Sequence, residues 1–281
     1  MIPQQNLSRL SNRLAERGGR RIPEAILERD YCIAWFLASL SLAPLHYLLV
    51  FKGGTALKHC YFGDYRFSED LDFTLLEKVS FENIRDELEP VFAEAGRASG
   101  INFRFVREDR NSHANSHTFY LGYEGPLPAS SASKEVKVDV TIRERIVFPI
   151  EDRPVLRSYE AYSDLPDNAR VRVYSLNEIA SEKIVALTDR ARNEPRDLYD
   201  LWHLVVQRRV DLKELIGAVN EKWAFRGGKP ADLKAEFLAK EARLKKLWSL
   251  RLANQMAQVP EYEEVFRTVQ RALRQAGLFN K

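Results

Sequence analysis

The chain has 281 residues, 45% of them hydrophobic and 30% charged, with a net charge of +3, an ordinary globular composition with enough apolar mass for one large domain or two modest ones. Its two cysteines, Cys32 and Cys60, have no Cys-x-x-Cys spacing, which argues against a disulfide framework or a zinc site. The N-terminal stretch has no apolar signal-peptide core, and the longest apolar run, around Tyr31 to Leu49, is interrupted by Ser39, Ser41 and Pro44, so a cytoplasmic protein without a membrane partner is expected.

Residues 1–20 carry a weak helical pattern ending at Gly18-Gly19. Pro23, tolerated in a first turn, opens a second helix running to about Leu42 with an apolar face for the core. Leu48 to Phe51 reads as a short buried strand, Gly53-Gly54-Thr55 as a turn, and Ala56 to Tyr61 as the start of a helix. Asp70 to Leu75 reads as a strand in which Leu71, Phe73 and Leu75 alternate with Asp70, Asp72 and Thr74, so both carboxylates share one face. A helix from Phe81 to Ala98, capped by Ser80, precedes strands at Asn102 to Arg107 and Ser116 to Tyr123. After a loop rich in Pro, Ser and Ala (Gly125 to Ser133), Glu135 to Ile142 alternates again: Val136, Val138, Val140 and Ile142 on one side, Lys137, Asp139 and Thr141 on the other. Pro149 to Arg172 reads mostly as loop, and from Ser175 the pattern is helical to the end, with breaks near Gly227-Gly228-Lys229-Pro230 and at Pro260. The predicted class is α+β, a mixed sheet with helices over residues 1–173 and a mainly helical part over 174–281; the irregular alternation argues against a doubly wound parallel sheet.

Two aspartates two apart on a strand repel each other, which a protein tolerates when something cationic sits between them, and Mg²⁺ favours carboxylate oxygens. The Gly53-Gly54 pair lets the backbone approach a ligand closely and present N–H groups to phosphate. Asp139, on a later strand, supplies a third carboxylate, and three carboxylates can hold two Mg²⁺ ions, the equipment of phosphoryl or nucleotidyl transfer. The competing reading is a solvated acidic strand face. Taken alone, Lys183 reads as a surface helix residue, and Asp197, in the first turn after Pro195, as a helix-start partner of Arg192 or Arg196. His113 and His117 read as structural or surface residues.

Charge is unevenly spread: residues 201–281 hold 16 basic and 9 acidic side chains, whereas the first 200 residues are net acidic. Arg243, Lys245, Lys246, Arg251, Arg267, Arg271 and Arg274 form a basic series with Trp223, Phe225 and Trp248 near it, a combination that can neutralise and stack on RNA. A solvated helical surface with core tryptophans is the alternative.

The glycine turn, the Asp-x-Asp pair and the later aspartate resemble the DNA polymerase β-type nucleotidyltransferase superfamily. Within it, KGGTAL at 52–57, RFSEDLDF at 66–73, SEKIVAL from Ser181 and RNEPRDLYDL from Arg192 to Leu201 are similar to the AbiEii/AbiGii toxin family of nucleotidyltransferases, over roughly Ala25 to Leu204. Thr55 stands where many members of the wider superfamily have Ser. The resemblance implies a toxin of a toxin–antitoxin or abortive-infection system that transfers NMP from an NTP to an acceptor and releases pyrophosphate. The expected acceptor is the 3′ end of tRNA, whose modification would block translation. Lys52, Gly53, Gly54, Thr55, Arg66 and Ser68 would bind the nucleotide, and Asp70, Asp72 and Asp139 would hold two Mg²⁺ ions. Lys183 would neutralise the triphosphate, and Asp197 would be a required acid, with Asp200 competing for that role. The helical part would complete the site and bind the tRNA or other RNA acceptor, and a cognate antitoxin is the implied protein partner. The rival functions are transfer to a small molecule or protein hydroxyl, and a non-catalytic nucleotide- or RNA-binding module.

Overall fold

In the computed structural model, which describes residues 1–16, 20–109, 115–128, 134–207, 209–228 and 232–279, the alternating segments assemble one seven-stranded mixed sheet. Its strands are β1 (Leu49–Lys52), β2 (Asp70–Leu75), β3 (Asn102–Glu108), β4 (Ser116–Glu124), β5 (Glu135–Thr141), β6 (Ile150–Pro154) and β7 (Arg170–Tyr174), in the spatial order β3-β4-β5-β2-β1-β7-β6. The pairs β2–β5 and β1–β7 are parallel; β1–β2, β3–β4 and β4–β5 are antiparallel. The period-2 expectation holds along β5, where Val136, Val138 and Val140 are buried while Lys137, Asp139 and Thr141 are half-buried. Phe51 and Phe73 pack across β1–β2 with their rings tilted by 35° and centroids 5.2 Å apart.

Strands β6 and β7 are a departure from the expected loop over 149–172. Ile150–Pro154 shows no alternation of burial because it lies at the sheet edge, where a proline is tolerated. Arg170–Tyr174 does alternate, with Val171 and Val173 buried, over a span too short to stand out from the surrounding Pro, Asp and Asn. The helix expected from Phe81 to Ala98 is split into α4 (Phe81–Asp86) and α5 (Leu88–Ser99); Pro90 has no N–H to offer the Asp86 carbonyl, so the first helix ends. Ser80 caps α4 by accepting from the Asn83 amide at 3.2 Å.

The chain forms two compact units. The first comprises residues 1–144, 150–173 and 255–257; the second comprises 145–149, 174–254 and 258–281. In the first, α1 (Gln4–Glu16) packs on α2 (Glu24–Leu40), and α2 packs on α5. After the single α-turn α3 (Gly53–Ala56), residues Leu57–Phe62 continue as a π-helical turn. Its Lys58 and His59 are fully buried against Asp30 of α2, with His59 Nε2 3.2 Å and Lys58 Nζ 3.8 Å from Asp30 Oδ1. Burial alone would raise the Asp30 carboxyl, but the charges of Lys58 and His59 hold it below its ordinary value. This network fixes the element that leaves the glycine turn.

The second unit is helical: α6 (Leu176–Thr188), α7 (Pro195–Val206), α8 (Ile216–Phe225), α9 (Leu233–Ala239), α10 (Glu241–Leu252) and α11 (Tyr262–Gln275). Ser175 caps α6, and α7 packs against α6, α10 and α11. Glu178, fully buried, accepts from the Val147 and Phe148 amides at 3.0 and 2.9 Å and meets Lys222 Nζ at 2.6 Å, pinning segment 145–149 to α6. Among the described residues no helix is long and apolar enough to cross a membrane. Gly18-Gly19, Lys229-Pro230, His113 and part of the 125–133 loop lie outside the described residues.

Candidate active site

β2 supplies Asp70 and Asp72, and its two neighbours decide what they face. Asp72 is the register partner of Asp139 on β5 and of Lys52 on β1; Asp70 is the partner of Lys137. The sheet thus brings Asp139, Lys52 and the Asp-x-Asp pair onto one face. Asp139 is held at both oxygens: the Thr118 hydroxyl of β4 donates to Oδ1 at 2.5 Å, and Lys137 Nζ donates to Oδ2 at 2.7 Å. Burial disfavours the Lys137 ammonium, but its bond to Asp139 and the charges of Asp139 and Asp70 outweigh this and hold its pKa above the ordinary lysine value. Lys52 is nearly buried and donates to the Thr141 hydroxyl at 2.9 Å.

The two glycines are required for different reasons. Gly53 has φ +79°, and a Cβ there would lie 2.7 Å from Asp72 Oδ2, so both backbone conformation and space demand glycine. A Cβ on Gly54 would overlap Nη2 of Arg66 and stand 3.0 Å from its Cζ. Arg66 is itself buried, donating through Nη1 to the Gln255 side-chain oxygen at 3.1 Å and the Phe67 carbonyl at 3.3 Å. Gln255, whose own carbonyl accepts from the Phe67 amide at 2.6 Å, was not singled out by sequence reasoning, and no local pattern marks it. Thr55 donates its hydroxyl to the Asp70 carbonyl at 2.5 Å, which ties the glycine turn to the start of β2. Ser68 is buried just before that strand.

Because the Arg66 guanidinium occupies the space above Gly54, Gly54→Ala is expected to destabilise the protein by roughly 1–3 kcal/mol, an overpacking effect. Removing the obstruction with Arg66→Ala should make the second alanine nearly free, a coupling that a double-mutant cycle in chemical denaturation measures. Equal costs of Gly54→Ala in the two backgrounds would disprove the packing account.

The second unit carries the other expected residues. Lys183 Nζ on α6 lies 2.6 Å from Asp197 Oδ1 and 2.7 Å from Asp200 Oδ2, both on α7. The two acids weighed against each other in the sequence therefore share one ammonium. Arg192 adds Nε–H to Asp197 Oδ2 at 2.6 Å, while Arg196 pairs with Glu194. Burial would raise the Asp197 carboxyl, but Lys183 and then Arg192 bring it down to about 2. Lys240, missed in the sequence, donates to the carbonyls of Ala186, Asp189 and Arg192, fixing the 189–192 loop that presents Arg192; burial pushes its pKa down to about 8. The Asp70–Asp72–Asp139 set and the Lys183–Asp197–Asp200 set lie on different units.

Of the C-terminal aromatics, Trp223 and Trp248 are core residues, their indole N–H groups donating to Thr188 Oγ1 and the Pro260 carbonyl, so neither offers an open ring face; Phe225 is half exposed. All seven basic residues of the series from Arg243 to Arg274 are exposed, with Lys245 paired to Glu263. His117 packs against Phe81.

Among the described residues no group of three or more His, Cys, Asp or Glu side chains is arranged to hold a metal ion as it stands. The donors nevertheless suit a hard divalent cation: carboxylates directly opposite on paired strands, one already neutralised by an ammonium at 2.7 Å.

The sequence profile of the family described as nucleotidyl transferase AbiEii toxin, Type IV TA system, matches residues 35–275. The solved structure of MenT4, a nucleotidyltransferase toxin from Mycobacterium tuberculosis H37Rv, aligns over 99% of this chain and 90% of its own, with a TM-score of 0.63 at 18% identity, which shows a shared fold. No curated protein matches the chain in sequence.

Proposed function

Since the chain belongs to the AbiEii nucleotidyltransferase toxin family of type IV toxin–antitoxin systems, we propose that it transfers NMP from an NTP to the 3′ end of tRNA in the cytoplasm, with Mg²⁺ held by Asp70, Asp72 and Asp139. The supporting observation is the register that sets Asp72 beside Asp139, with Gly53 so close that a Cβ there would lie 2.7 Å from Asp72 Oδ2. Bound Mg²⁺ would supply Lewis-acid stabilisation of the charge developing on the transferred phosphoryl group.

The chain's own residues carry the rest of the reading. The Gly53-Gly54 amides and Thr55, Arg66 and Ser68 orient the triphosphate, and Lys52 offsets its charge; Lys183 keeps the charge-neutralising role that the family motif implies. The acceptor oxygen forms its bond to the α-phosphorus as the bond from that phosphorus to the oxygen leading to the β-phosphate breaks, and pyrophosphate leaves. The acceptor hydroxyl's proton passes to Asp139, whose carboxylate is oriented for it by Thr118. Asp197 keeps the required acidic role of the family motif. RNA is favoured over a small-molecule or protein acceptor by the exposed basic side chains of α10 and α11. The family's systems pair the toxin with an antitoxin, which is the expected protein partner.

The test offers each of the four NTPs, labelled at the α-phosphate, with Mg²⁺ and total RNA. Label in a tRNA-sized band is expected, and the base that labels identifies the donor. Label confined to protein or small molecules would refute the tRNA assignment.

A further inference from the structure

We infer that Lys137 is the resident counter-cation of the carboxylate face: its ammonium neutralises Asp139 and Asp70 before the divalent ion arrives, exchanges with that ion, and thereby sets the ion concentration at which the site loads. This rests on the metal reading above and deepens it.

Three observations support the assignment. Lys137 stands two residues before Asp139 on β5, so the strand period places both on the same face, and its register partner on β2 is Asp70. Its Nζ lies 2.7 Å from Asp139 Oδ2, while Thr118 occupies Oδ1, so a cation approaching Oδ2 meets the ammonium first. Lys137 also differs from the other lysine of this face. Lys52 is 8% exposed and donates to Thr141, whereas the Lys137 side chain is 37% exposed on a flexible four-carbon stem, with water to retreat into.

The measurement is Mn²⁺ binding to the full chain without nucleotide, followed by the paramagnetic resonance signal of the free ion. Lys137→Met and Lys137→Gln are expected to bind Mn²⁺ at least about threefold more tightly than the unaltered protein, the scale of a partly exposed ion pair, and Lys137→Arg to stay close to it. In EDTA the two neutral variants should melt at lower temperature, with more of the loss recovered on adding Mg²⁺ than in the unaltered protein. Unchanged or weaker Mn²⁺ binding by folded Lys137→Met and Lys137→Gln overturns the inference and leaves the metal site standing. Absence of Mn²⁺ binding by the unaltered protein, or binding that Asp72→Asn leaves intact, overturns the inference together with the metal reading.

Discussion

Asp72→Asn is expected to lower nucleotide transfer on the order of a thousandfold, the scale seen when one preorganised electrostatic group is removed from a transfer site. Asp72 is flanked by Asp139 on β5 and by Lys52 on β1, and a Cβ on Gly53 would stand 2.7 Å from its Oδ2. Asparagine keeps the shape but deletes the charge. The repulsion between directly opposite carboxylates is relieved while an attraction to Lys52 is lost, each a few tenths of a kcal/mol on a half-exposed sheet face, so the melting temperature should barely move. Initial rates of label transfer and thermal unfolding, measured on the same preparation, separate chemistry from folding. Activity within tenfold of the unaltered protein would remove Asp72 from the mechanism.

Lys183→Met should give the largest combined effect, abolishing transfer and destabilising the helical unit by about 3 kcal/mol, as expected when one partner of a buried ion pair is deleted. Methionine fills the same space, so the loss is electrostatic: Asp197 and Asp200, both buried, lose the ammonium that faces each of them. The pH dependence gives a signature. The Asp197 carboxyl sits at about 2 in the folded protein, with an ordinary value near 4 in the unfolded chain. Such a depressed group contributes stability above the unfolded value, and that contribution fades as pH falls from about 4 towards 2. The unaltered protein should therefore lose stability steeply across that window. Lys183→Met should show a shallower loss there, because the nearest ammonium is gone while Arg192 still pairs with the carboxylate. Parallel acid limbs for the two proteins would show that Lys183 does not govern Asp197.

The strands that carry the candidate site were readable because each has a buried and an open face. Leu71 and Phe73 against Asp70 and Asp72, and Val136 to Val140 against Lys137 and Asp139, are patterns a short window contains in full. The edge strand Ile150–Pro154 has no such contrast, so its sequence looks like loop. The tryptophans near the basic series were ambiguous for a related reason: an indole beside lysines can face RNA or the core, and here the hydrogen bonds of Trp223 and Trp248 to Thr188 and Pro260 place both inside.

By itself the sequence determined which side chains share a face of β2 and β5, where α4 is capped, and, through four spaced motifs, the family, because all of these are local properties of neighbouring residues. Only the tertiary structure decided that Asp72 pairs with Asp139 rather than with another strand's residue, that Lys137 is the cation beside Asp139, that Gln255 reaches back to Arg66, and that Asp197 and Asp200 share Lys183. Strand register and helix–helix packing join residues distant along the chain, and the side-chain period that assigns faces carries no information about which partner lies across them.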